Sequence, residues 1–138
     1  MRIYFSDGQA PMLLDSLAGM NALHDRLQEF VLSISSELAL PADQSGTSAP
    51  YSELLGGLEI RKTETAVFLS LTPHRWLLLT GSPQNLTRYI SFFRFDEDEE
   101  GAHHHPEYVN VAGYMRSGRM SLLIEVDSSW MDELQTES

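Results

Sequence analysis

The chain has 138 residues, 42% of them apolar, no cysteine and a formal net charge of −11. That length suits one domain, able to bury roughly two thirds of its unfolded surface without a disulfide or structural metal. The composition excludes thiolate zinc sites and cysteine nucleophiles, and Lys62 as sole lysine leaves no basic cluster for binding nucleic acid through its phosphates.

No apolar run approaches the ~18 residues of a membrane-spanning helix, so no membrane partner is expected. Met1 to Gly8 lacks a signal peptide's apolar region, and a cytoplasmic location is expected. The charge is uneven. Residues 1–95 hold 9 acids and 7 bases, whereas residues 96–138 hold 11 acids against Arg116 and Arg119 alone. Such a half either keeps the chain soluble or attracts a basic partner.

In chain order, Arg2 to Phe5 suits a first strand. Leu17, Met20, Leu23, Leu27, Phe30, Val31 and Ile34 recur at helical spacing, with Asp15 or Ser16 as cap, or with Met12 to Leu14 still extended. Glu37 to Leu40 reads as a short edge strand, and 41–50, polar and turn-forming, as a mobile loop within a single 1–138 domain. Leu58 and Ile60 alternate with Glu59 and Arg61; Ala66 to Leu71 and Trp76 to Thr80 follow after short connections. These three predict an antiparallel meander. Ser82 as cap and Pro83 at the first position start a second helix with Leu86, Tyr89, Ile90 and Phe93 on one stripe. It should end near Phe95, because carboxylates at a helix C-terminus oppose its dipole. An acidic loop, 96–101, follows. Beyond it, Glu107 to Val111 suits a strand, Arg116 to Arg119 a turn, Met120 to Val126 a strong strand, and Asp127 to Ser129 the cap of a last helix with Trp130.

A shift of 63 residues sets Leu23, Leu27 and Phe30 against Leu86, Ile90 and Phe93, a faint internal repeat. The expected fold is α+β, a mainly antiparallel sheet of five to seven strands with two helices packed on one face.

The stretch least like plain core or plain loop runs from Phe92 to Tyr108. Asp96, Glu97, Asp98, Glu99 and Glu100 are five consecutive carboxylates, and His103, His104 and His105 follow. Five acids in a row on a loop are expected to be ionised and solvated, with none separated in pKa for acid–base catalysis. They lack the alternating ligands of an EF-hand. If the histidines are extended, His103, His105 and Glu107 share one face, and His104 and Tyr108 the other. Two imidazoles and a carboxylate could hold a divalent metal; satisfied or solvated histidines are the simpler reading. Trp76 is expected in the core. Trp130 and Tyr51, beside turn-rich sequence, suit either interface anchors or partial packing.

Three elements, in order, carry a family resemblance: L-E-I-R-K-T at Leu58 to Thr63, the strand–turn–helix L-L-L-T-G-S-P-Q-N-L at Leu77 to Leu86, and H-x-H-x-E-Y at His103, His105, Glu107 and Tyr108. Together they resemble small immunity proteins of bacterial polymorphic toxin systems, in particular the immunity family numbered thirty-two. The resemblance covers about residues 58–126, with the acidic run and the tail from Ser128 as departures. It implies a cytoplasmic protein without enzymatic activity or cofactor, which binds and neutralises a cognate toxin. With the charge asymmetry, the partner expected is a basic toxin domain, met by Asp96, Glu97, Asp98, Glu99, Glu100, His103, His105, Glu107 and Tyr108. Two other readings stay open: a metal-dependent enzyme using His103, His105 and Glu107, and a homodimer joined through the 66–80 meander or a sheet edge.

Overall fold

A computed structural model of the chain describes residues 1–106, 113–115 and 120–129. Strands β1 (Arg2–Phe5) and β2 (Met12–Asp15) form an antiparallel hairpin with Arg2 opposite Leu14. Met12 to Leu14 is therefore extended, and the helix begins after Ser16. The Ser16 hydroxyl accepts the Gly19 amide at 3.0 Å, capping α1 (Leu17–Leu32), whose Met20, Leu27, Phe30 and Val31 are buried. Then come β3 (Glu37–Pro41), β4 (Glu53–Leu54), β5 (Gly57–Lys62), β6 (Phe68–Leu71) and β7 (Leu77–Gly81). Ser82 caps α2 (Pro83–Ile90), accepting from the Asn85 amide at 3.2 Å with Pro83 at the first position, as the sequence predicts. A 3-10 turn (Ser91–Phe93), β8 (His103–His104) and β9 (Leu123–Val126) complete the described elements. The expected strand at Glu107 to Val111, the turn at Arg116 to Arg119 and the helix with Trp130 fall outside the described residues.

The α+β class holds, and the two helices touch one another. The strands, however, divide into two sheets, ordered β4-β1-β2-β9-β8 and β3-β5-β7-β6. The predicted meander is also corrected. β6 and β7 are an antiparallel hairpin, but β5 lies on the far side of β7 and runs parallel to it, Leu58 beside Leu77. Short connections suggested hairpins, yet a strand's partner is set by which faces must be buried together, which loop length alone does not encode. β3 is an edge strand as expected, ending in Pro41, whose missing amide blunts that edge.

One topological unit is used twice. Residues 66 apart are equivalent in β1 and β6 (Arg2, Phe68), in the helix caps (Ser16, Ser82) and at the starts of β3 and β8 (Glu37, His103). For β5 and β9 the offset is 64 (Glu59, Leu123). With those offsets the hairpin, β3–β5 and parallel registers repeat. Arg2 opposite Leu14 becomes Phe68 opposite Thr80, and Glu37 opposite Arg61 becomes His103 opposite Glu125. The parallel pairs Glu59–Leu78 and Leu123–Met12 correspond likewise. Apart from β4, which pairs with β1 at the edge of the first sheet, the chain is thus two β-β-α-β-β units that exchange their last strands: β5 of the first joins the β6–β7 hairpin, and β9 of the second joins β1–β2. The 63-residue repeat is three residues out, because a slip of nearly one turn preserves a helix's apolar stripe.

Both sheets and both helices feed one apolar cluster, including Ile3, Leu13, Leu27, Phe30, Ile60, Leu69, Leu79, Leu86, Phe93 and Ile124. Among the described residues no helix is long and apolar enough to cross a membrane.

Trp76 is half-buried and outside that cluster, correcting its expected core position. It lies on the outward face of the second sheet, where its indole crosses the backbone of Gly56 and Gly57. A Cβ built on Gly57 would stand 2.4 Å from the Leu40 carbonyl oxygen and 2.6 Å from the indole. Because the oxygen belongs to the β3 backbone it cannot swing away. Gly57→Ala should therefore cost about 1–3 kcal/mol by denaturant unfolding, the usual range for overpacking, and shift tryptophan emission as the indole is displaced.

Candidate functional site: a braced acidic corner

The acidic run starts where α2 stops early. By the 66-residue offset, Arg94 to Asp98 are the counterparts of Gln28 to Leu32, the last turn of α1. In the first unit that turn is helix; in the second the chain has already left α2 at Ile90. Carboxylates in that last turn would face the negative end of the helix dipole, and the chain turns away as a loop.

The loop is held at both ends. At its start, the Asn21 side chain of α1 pairs with the Phe95 backbone as a strand would: its Nδ2 donates to the Phe95 carbonyl at 3.0 Å, and its Oδ1 accepts the Phe95 amide at 2.9 Å. Within the loop, the Glu99 Oε1 accepts the Asp96 amide at 2.8 Å. At its close, Gly101 adopts φ +82°, a left-handed turn that glycine takes without strain, and donates to the Val126 carbonyl at 2.6 Å. The Ser128 amide donates to the Glu100 carboxylate.

His104 binds this loop to the 3-10 turn that follows α2. Its ring stacks on Phe95 at 4.0 Å, 5° from parallel, and meets the edge of Phe92. Nδ1 lies 2.8 Å from the Phe92 carbonyl oxygen and Nε2 lies 3.2 Å from Glu99 Oε2. Both neighbours are acceptors, so only a doubly protonated ring donates to both.

Of the predicted site residues, Asp96, Glu97, Asp98 and Glu100 are exposed, and Glu99 is half-buried with its carboxylate turned inward. His103 and His105 do share a face, their rings 5.2 Å apart and perpendicular, with His104 on the other. Glu107 and Tyr108 lie outside the described residues. Among the described residues no group of three histidines or carboxylates is placed to hold a metal ion. Asn21 and His104 were not singled out from the sequence. Asn21 carries no local signal, since its partner is 74 positions away. His104 was separable by alternation alone, which predicted that it faces away from His103 and His105.

Two carboxyls respond oppositely to this setting. Glu99 is held below the ordinary glutamate value, first by the Asp96 amide and then by His104. Glu125, opposite His103, is pushed up by burial and by Asp127, with His103 pulling the other way. Hollows of about 390 and 280 Å³ open elsewhere, the first lined by Glu37, Ala39, Glu59 and Arg61 among others, the second by Asp15, Leu23, Arg26 and Leu40 among others. Neither includes a predicted site residue.

Tyr51, a candidate anchor, is half-buried against Tyr4, ring centroids 5.5 Å apart. No family model matches the chain, and neither does any curated protein or solved structure.

Asn21→Ala leaves the Phe95 backbone groups without their partners and should cost about 1–3 kcal/mol, with faster amide exchange at Phe95 and Asp96 read by NMR. The pH dependence follows from linkage. Glu99, lowered, contributes stability above the unfolded glutamate pKa that is lost as pH falls through its folded value. Glu125, raised, makes the folded state lose stability as pH climbs from the unfolded value through the folded one. Glu125→Gln should remove that decline from a pH series of thermal melts while leaving the acid-side loss.

Proposed function

We propose that the protein is a non-enzymatic binding protein that neutralises a basic toxin domain, an immunity protein working in the cytoplasm of the cell that makes it. One observation carries the reading: four exposed carboxylates, Asp96, Glu97, Asp98 and Glu100, project from a loop braced by Asn21, Glu99 and His104. A loop already ordered loses little conformational entropy when a partner docks, so its field turns into association rate and affinity with less offset. The order of motifs that resembles the immunity proteins supports the same reading, as does the concentration of acid in the second half of the chain.

The mechanism follows from the charge. A toxin domain that acts on nucleic acid carries a basic substrate-binding surface. An acidic corner of fixed shape competes for that surface and covers it. His103 and His105 stand beside the acids on β8 and the segment after it, and supply flat polar contacts at the edge of the same corner.

The partner to try is the toxin encoded by a neighbouring gene. The folded protein should co-purify with it and protect cells that express it; failure of both, with the protein shown to be folded, removes the proposal. Neutralising the corner with Glu97→Gln, Asp98→Asn and Glu100→Gln together should slow association by roughly tenfold at low salt, with a much smaller change in dissociation. A rate indifferent to salt would take the loop out of the interface.

A further inference from the structure

The second sheet has one occupied edge and one open one. Beyond β6 the Val67 amide donates to the Tyr114 carbonyl at 2.7 Å, and the Leu69 carbonyl accepts the Met120 amide at 3.0 Å. The opposite edge is β3, which bonds β5 through alternate residues. The Ser36 carbonyl accepts the Lys62 amide and the Ala42 amide donates to the Gly56 carbonyl, both at 2.9 Å. The register between them puts the backbone groups of Leu38 and Leu40 on the β5 side as well. The amides of Glu37 and Ala39, and the carbonyls of Glu37, Ala39 and Pro41, therefore point away from the sheet. Among the described residues nothing bonds them, and all three residues are exposed.

Apart from Pro41, this edge has little to keep another strand off. Its one charged residue, Glu37, lies 3.3 Å from Arg61 Nε on the neighbouring strand. Leu38 and Leu40, on the helix side of the sheet, pack on the apolar cluster yet stay half-buried. Beside Leu40 and Pro41 a hollow of about 280 Å³ opens, with Ala22 and Leu23 of α1 in its wall. In a chain of net charge −11 the segment 36–42 carries a single acid. Two copies of so acidic a protein repel one another across most of their surfaces, and along this edge that repulsion is small.

We propose that β3 pairs with β3 of a second copy of this chain, antiparallel, about a two-fold axis between the two Ala39 residues, so that two four-stranded sheets become one. In this register Ala39 of each copy donates to and accepts from Ala39 of the partner subunit, and each Glu37 amide donates to the Pro41 carbonyl of the partner subunit. The missing amide of Pro41 falls at the end of the ladder, where water meets the facing Glu37 carbonyl. Leu38 stands opposite Leu40 of the partner subunit on both sides of the axis, in the closer type of antiparallel pair, and carries the apolar layer across towards the hollow beside Leu40. Shifting the partner by two residues would bring the two Glu37 side chains to diagonal positions and leave Leu40 opposite Ser36, which decides the register. A strand of another protein fits the open backbone groups equally, but a second copy also supplies the matched leucines and keeps the carboxylates apart. The acidic corner is built on β8, β9 and the loop before them, in the other sheet. The inference stands independently of toxin neutralisation; a dimer of this kind would carry two acidic corners. So short a ladder makes a small interface, and the dimer is expected to be reversible, with a dissociation constant of roughly 1–100 μM.

Sedimentation velocity of the whole protein across a concentration series tests it. The expected result is a reversible shift from 15.6 kDa towards twice that mass. Ala39→Lys sets two ammonium groups face to face at the axis and should weaken the dimer by roughly tenfold or more. The same change lowers the net negative charge, so an effect of overall charge would run the other way. The chain has no cysteine, and Ala39→Cys should form an intermolecular disulfide on mild oxidation, because a hydrogen-bonded pair sets its Cα atoms about 5.5 Å apart. Glu64→Cys, also exposed but in the loop ahead of β6, gives the background rate. Circular dichroism and thermal melts confirm that each variant is folded. A single 15.6 kDa species at every concentration up to about 1 mM, a range that includes weak dimers, overturns the proposal. So does a dimer that Ala39→Lys leaves unchanged, or an Ala39→Cys protein that cross-links no faster than Glu64→Cys, either of which would place the contact on another surface.

Discussion

Two parallel ladders, β2 with β9 and β5 with β7, hold this fold together. Each joins a hairpin of one unit to the closing strand of the other. Without β9, the outer edge of β2 is open and the carbonyl of Val126 is not there to receive Gly101. Without β5, the same is true of β7. Neither unit can bury its own apolar face: Ile60 and Leu58 of the first pack with Leu77 and Leu79 of the second, and Ile124 of the second with Leu13 of the first. The units therefore fold as one. The closing contacts span more than a hundred positions in the β2–β9 ladder, which places them late and makes the folding rate sensitive to them.

Against that shared plan, the differences between equivalent corners become informative. The end of α1 and the turn after it carry Leu32 and Ile34, both strongly exposed, and their counterparts by the 66-residue offset are Asp98 and Glu100. The equivalent sequence position is apolar in one unit and acidic in the other. Packing does not explain either choice, since neither pair of side chains is buried. The braces do differ in kind. The first corner has Lys62, which donates to the Ser33 carbonyl at 2.6 Å and sits over the Phe30 ring. The second has Asn21 and His104, which reach into the loop itself. One corner is a helix end tied off by a single cation; the other is a shaped loop, and shape is what a recognition surface needs.

The local grammar of the chain was legible. Serine before an apolar stripe, once with proline, marked both helix starts, because the hydroxyl satisfies an amide the helix cannot. The helix end expected near Phe95 comes earlier: α2 stops at Ile90 and a 3-10 turn runs to Phe93, ahead of the carboxylates. The edge character of Glu37 to Leu40 followed from its short, half-polar pattern. The pairing was not legible. Ala66 to Leu71 and Trp76 to Thr80 announced a hairpin, but nothing near Leu58 says that it crosses to the far side of β7. Nothing beside Trp76 in the sequence places it outside the core, and only the bare backbone of Gly56-Gly57 explains how an indole can rest on the outward face. His104 looked like one of three similar histidines. Alternation separates it from its neighbours, but the stacking partner and the two acceptors are supplied by the 3-10 turn after α2 and the loop together.

The corner also shows how a run of like charges is kept compact. Five adjacent carboxylates repel one another, and a loop free to extend would do so. Here one of the five, Glu99, is turned inward and held charged by the Asp96 amide and His104, so it serves the fold. Glu100 accepts the Ser128 amide and ties the loop to the end of β9. The remaining three, Asp96, Glu97 and Asp98, face solvent. Beside them Glu125 resists ionisation because it is partly buried near Asp127. Titration therefore reaches these groups at different points. Mild acidification protonates Glu125 first and relieves repulsion within the corner, whereas only stronger acid removes the charge of Glu99 and with it the loop's internal anchor.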